Sequence, residues 1–205
     1  MEDGSESALA RGRAPTDLDE LGGLPRRPLL TVGHGTLGTD ELAGLLHGAG
    51  IGSLVDIRTA PGSRRLPHMG RAEMARWVPE AGIDYRWESE LGGFRKTRET
   101  SPNPALRNKS FRGYADYMQT DRFWAALDPL IASLSEDQVA AMCSETAWWR
   151  CHRRLVADAA ILARTTPVFH LLHDGRLVAH PVTEGARLTE EGLVRYDAGQ
   201  EPMVR

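Results

Sequence analysis

Cysteine is scarce: the 205-residue chain carries two, Cys143 and Cys151. Two cannot build a disulfide framework, and no charged-then-apolar leader opens the chain, so the expected compartment is the cytoplasm. Long apolar runs are absent as well. The longest, such as Val139 to Cys143, have the length of a core strand and fall far short of the roughly 20 residues that span a bilayer. A membrane partner is therefore not expected. Charge of one sign is also missing: the formal net charge is −3 and the isoelectric point is near 6.2, which disfavours a generic polybasic binder of nucleic acid or membrane. Internal repeats and low-complexity tracts are lacking. The rest is an ordinary globular composition, 41% hydrophobic and 26% charged, at a length that suits one domain.

The charge is unevenly spread. From Arg58 to Arg154 the chain holds 16 Lys and Arg against 12 Asp and Glu, so this middle is basic and the two ends are acidic. Residues 1–24 are polar with no apolar period and read as a flexible segment; 184–205 read as a C-terminal tail. Between them, residues 25–183 alternate short apolar runs with longer amphipathic stretches. That pattern predicts a single α/β domain, a three-layer Rossmann-like fold with a mostly parallel central sheet. Strands are predicted at 28–33, 53–57, 83–87, 138–143, 168–173 and 177–180. Helices are predicted at 40–48, 71–81, 111–118, 122–134 and 151–164, with a long loop between residues 88 and 109.

Parallel sheets collect ligands at the carboxyl ends of their strands. His34, Asp56, Arg58, Cys143, Glu145, Cys151 and His152 all fall at such ends, which predicts a shared cleft. Glu145 and Asp56 are the candidate proton-transfer groups, with His34, Cys151 and His152 as further acid, base or nucleophile. Arg58, Ser63, Arg64 and Arg153 suit an anion, because guanidinium forks match phosphate. Arg95, Lys96, Arg98, Arg107 and Lys109, interleaved with Phe94, Phe111 and Tyr114, suit a polyanion with stackable bases. Gly33-His-Gly35 lacks the rest of a dinucleotide fingerprint, so no nicotinamide or flavin cofactor is expected.

The cysteines admit several readings. Cys143, Cys151 and His152, with His34 as a fourth donor, would make a divalent-metal site. Cys151 at a helix start beside His152 and Arg153 would make a reactive thiol. A third reading makes Cys143 a buried small hydrophobe at a strand end and has Cys151 merely pack. Arg150 stands too far from Cys143 for a phosphatase-type loop.

Thr31-Val-Gly-His-Gly35, Val55-Asp-Ile-Arg58 with Pro61-Gly-Ser-Arg64, Leu91-Gly-Gly93, the block Phe111 to Met118, and Cys143-Ser-Glu145 with Cys151-His-Arg153 together resemble the domain of unknown function 488 family. The blocks recur in that order over about residues 30–182. The resemblance implies a Rossmann-like α/β domain and carries no settled reaction. Gly35, where serine is commoner, and Ala147-Trp-Trp149, where a proline is usual, depart from its pattern. The leading expectation is an enzyme acting on a phosphate-bearing, nucleotide-like substrate, with Gly92, Gly93 and Tyr114 completing the binding surface. The alternatives are a metal- or redox-responsive protein built on the cysteines and a non-catalytic nucleic-acid binding module.

Overall fold

β-Branched and leucine-rich runs such as Leu-Leu-Thr-Val and Val-Ala-Ala-Met bury both faces, as central parallel strands do. The computed structural model describes residues 27–62 and 64–199; the predicted segment 1–24 and Ser63 lie outside the described residues. Six strands form one sheet: β1 (Leu29–Gly33), β2 (Ser53–Asp56), β3 (Asp84–Trp87), β4 (Val139–Cys143), β5 (Val168–Leu171) and β6 (Leu177–Ala179). Their order is β3-β2-β4-β1-β5-β6, parallel throughout except for the β5–β6 hairpin.

Five helices cover the sheet: α1 (Thr39–Gly48), α2 (Arg71–Glu80), α3 (Lys109–Tyr117), α4 (Asp121–Ala132) and α5 (Arg153–Arg164). From β1 the chain steps to β2 and β3 on one side, then returns through β4 to β5. Right-handed crossovers then require α1 and α2 on one face and α3, α4 and α5 on the other. The core divides in that way. Leu42, Leu46, Met74 and Val78 pack with Leu30, Val32, Leu54 and Met142 on the front; Leu127, Leu155 and Val156 pack with Leu29, Val55 and Ala141 on the back. The predicted three-layer α/β fold is thus present. No helix among the described residues is long and apolar enough to cross a membrane.

Among the boundaries that differ from the sequence reading, two shape the site and its surroundings. The helix predicted from residue 151 begins at Arg153, after a 3-10 turn at Trp148–Arg150, so Cys151 stands outside it in extended backbone. The stretch read as a tail contains a second hairpin, β7 (Ala186–Leu188) with β8 (Val194–Tyr196). Val194 and Tyr196 are fully buried against the back-face core, and that burial holds the hairpin to the domain.

Candidate functional site

The predicted reactive residues do share one edge of the sheet, because parallel register sets Gly33 beside Cys143 and Asp56 beside Met142. Side chains alternate across a strand, however, and the sheet divides these residues between its two faces.

On the front, Asp56 is sealed from solvent and forms a forked pair with Arg58: Nε donates to Oδ1 at 2.8 Å and Nη2 to Oδ2 at 2.5 Å. The Tyr85 hydroxyl donates to Oδ2 at 2.9 Å and the Arg58 backbone N–H to Oδ1 at 3.1 Å. His34 Nδ1 faces the Gly35 carbonyl at 3.0 Å and Nε2 faces Arg58 Nη1 at 3.1 Å. Only a neutral ring protonated at Nδ1 satisfies both contacts. Burial, reinforced by the Arg58 charge, pushes His34 down to about 4. Arg58 and Asp56 therefore satisfy each other internally.

On the back, three donors converge. Cys143 ends β4, Cys151 and His152 close the loop that follows it, and their ligand atoms all lie within 4.8 Å of one another. His152 Nδ1 is 3.9 Å from the Cys143 sulfur and 3.6 Å from that of Cys151. Its Nε2 lies 3.2 Å from the Ile57 carbonyl and donates to it, which turns Nδ1 toward the sulfurs. Tyr114 backs the imidazole at 5.1 Å between ring centres, its hydroxyl spent on the Leu91 carbonyl. A hydrogen bond from the Cys143 thiol holds Cys151 well below the usual thiol range, with His152 and Arg153 adding to the effect; the same bond and burial push Cys143 up.

Glycine lets the covering loop approach. A Cβ on Gly93 would fall 2.5 Å from His152 Nδ1, and one on Gly92 would fall 2.4 Å from Thr59 Oγ1. Gly92 and Gly93 thus seat the loop after β3 on this cluster. His34 is not one of the donors, since both its nitrogens are committed on the front face.

Arg153 is 1% exposed and forms no ion pair with a carboxylate among the described residues. Its Nη2 donates to the Glu145 and Thr146 carbonyls, which clamps the loop carrying Cys151, and its Nη1 reaches Thr31 Oγ1 at 3.5 Å. From Thr31 a buried chain runs on: Oγ1 to His170 Nδ1 at 2.6 Å, His170 Nε2 to His180 Nδ1 at 2.9 Å, and His180 Nε2 to Asp158 Oδ1 at 3.0 Å. Tyr196 donates to the other Asp158 oxygen at 2.9 Å. Burial, with His180 and Arg153, holds His170 down to about 2, so its ring sits in the chain as a neutral imidazole. Trp148 stacks on His170 with ring centres 4.1 Å apart. Sequence reasoning missed this chain. Its one signal was polar residues inside runs otherwise fit only for a core: Thr31, His170 and Asp158.

The remaining candidates are dispersed. Glu145 and Arg64 are exposed, and for Glu145 it is the backbone carbonyl that the clamp uses. The loop with Arg95, Lys96 and Arg98 is anchored by buried Asp116, which accepts from Arg98 N–H, Ser101 and Asn103. Arg95 lies 4.0 Å over the Tyr117 ring, and of the three aromatics expected to stack bases, Phe94 alone is exposed, at 86%.

No curated protein and no solved structure matches the chain. A family model described as Domain of unknown function DUF488 matches residues 39–160, which takes in β2, β4 and the whole thiol–imidazole cluster. With more than half its length matched, the chain belongs to the domain of unknown function DUF488 family.

Proposed function

We propose that the chain binds a divalent transition metal, zinc being the best fit, at Cys143, Cys151 and His152. The observation that carries this reading is the spacing of the donors. Zinc–sulfur bonds of about 2.3 Å and zinc–nitrogen bonds of about 2.0–2.1 Å at tetrahedral angles put sulfur and nitrogen roughly 3.5–3.6 Å apart. The two sulfurs stand 3.6 and 3.9 Å from His152 Nδ1. The outer partner fits as well, because a ligating histidine normally donates its other N–H to a carbonyl, here that of Ile57.

Two thiolates and a neutral imidazole balance a 2+ charge in a buried setting, and the Arg153 cation favours the thiolates. Three protein donors leave a fourth position free, the pattern of catalytic rather than structural zinc, where the ion serves as a Lewis acid. The phosphate-binding reading is the weaker one: Arg58 is paired with Asp56, Arg153 is bound to backbone carbonyls on the opposite face, and Arg64 is exposed.

The test is cobalt titration of the chelator-treated chain. One equivalent should bind, with a thiolate-to-cobalt band in the near ultraviolet that is lost in Cys151→Ser and altered in His152→Gln. Absence of saturable binding at one equivalent overturns the proposal.

A further inference from the structure

We infer that Cys143 and Cys151 are also a peroxide-closed thiol switch, in which disulfide formation withdraws both sulfur donors and expels the metal. This regulation rests on the metal reading above, but the dithiol chemistry itself does not. The two sulfurs lie within 4.8 Å of each other, and they are the chain's only cysteines, so one internal disulfide is the only possible product within a single chain.

The two halves differ in freedom. Cys143 is fixed at the end of β4 by pairing with Gly33, and its carbonyl accepts from His34 N–H at 3.0 Å. Cys151 lies between a 3-10 turn and the first turn of α5, in extended backbone that no strand pairs. Cys151, outside the sheet, is thus the less constrained of the two.

Burial selects the oxidant. Cys143 is 8% and Cys151 4% exposed, which favours hydrogen peroxide or a small alkyl hydroperoxide over a bulky peptide disulfide such as oxidised glutathione. The Cys151 sulfur attacks one peroxide oxygen, the O–O bond breaks, and the thiol proton leaves with the departing oxygen as water or alcohol. The Cys143 sulfur then attacks the sulfenic sulfur of Cys151, the S–S bond forms, and hydroxide departs with the Cys143 proton as a second water. Two electrons pass from the dithiol to the peroxide, and no other reductant enters.

The experiment uses the full chain in two arms. In the metal-free arm, one equivalent of hydrogen peroxide should remove two hydrogens from the intact mass and abolish both titratable thiols, with dithiothreitol restoring them. Oxidised glutathione at the same concentration should leave the thiols intact, and Cys143→Ser should stop at a trappable sulfenic acid on Cys151. Gain of oxygen without loss of hydrogen, or a disulfide-linked dimer, overturns the switch. In the cobalt-loaded arm, peroxide should bleach the thiolate band and release the ion; retention of the ion by the closed form overturns the coupling. Failure of the metal reading shows separately, as a missing cobalt band before any peroxide is added.

Discussion

Gly93 and His152 meet so closely that a single methyl group on the glycine would stand 2.5 Å from the imidazole Nδ1, nearer than real side-chain carbons approach. Gly93 is only partly buried, so the main effect of Gly93→Ala should be on the ring and not on the core. Displacing the ring breaks its contact with Ile57 and misaims Nδ1. Cobalt affinity should fall by about tenfold or more, the usual cost of disturbing an outer partner of a metal ligand. An unchanged titration would mean that Nδ1 is not a donor.

Arg58 and Glu145 should separate cleanly in a stability assay. Arg58→Ala leaves the sealed Asp56 carboxylate without its forked partner and should cost about 3–5 kcal/mol. Glu145→Gln alters an exposed side chain and should stay within about 0.5 kcal/mol. Denaturant titration measures both. Equal tolerance of the two changes would return Arg58 to the ligand-binding candidates.

Two buried histidines give stability a pH dependence of fixed sign. Burial, with Arg58, holds His34 down to about 4; burial, with His180 and Arg153, holds His170 down to about 2. Both values lie below that of the unfolded chain, near 6.5. Their contribution is therefore fully present above pH 6.5 and is lost as the pH falls from there, for His34 until about 4 and for His170 beyond. Each histidine withdraws roughly 1.4 kcal/mol per pH unit in that window, an order-of-magnitude slope. Near pH 5, unfolding should take up about two protons, read from the slope of unfolding free energy against pH. A flat profile would show that both rings protonate in place.

Tyr196→Phe removes only the hydroxyl that donates to Asp158 and should destabilise the chain by about 1–2 kcal/mol. If residues past 184 were an unattached tail, the same change would leave the denaturation midpoint where it was.

Much of the fold was legible because its central strands are continuous apolar runs whose ends carry chemistry, as at Val55-Asp56 and Met142-Cys143. Which face each residue would take was not. Asp56 and Ile57 are neighbours, yet pleating sends the carboxylate to the front with Met74, while the next carbonyl serves His152 on the back. Cys151 read as a helix start because the apolar period of α5 extends backward to it, whereas the 3-10 turn at Trp148–Arg150 delays the helix by two residues. The hairpin holding Tyr196 is short and polar outside, and its anchor, Asp158, is 38 residues distant, so no local pattern announced it. The three converging side chains, Cys143, Cys151 and His152, are legible from their spacing, whereas the strand-end position of His34 does not show that it takes the other face.

Both ends of the buried polar chain belong to the same helix, Arg153 in the first turn of α5 and Asp158 further along it. Between them it passes through β1, β5 and the residue after β6, so it closes a ring of contacts through the sheet. No member can leave without stranding two others. The thiol loop clamped by Arg153 and the hairpin tied by Tyr196 should consequently open in a single cooperative event, and their slowest amide protons should exchange with one common free energy.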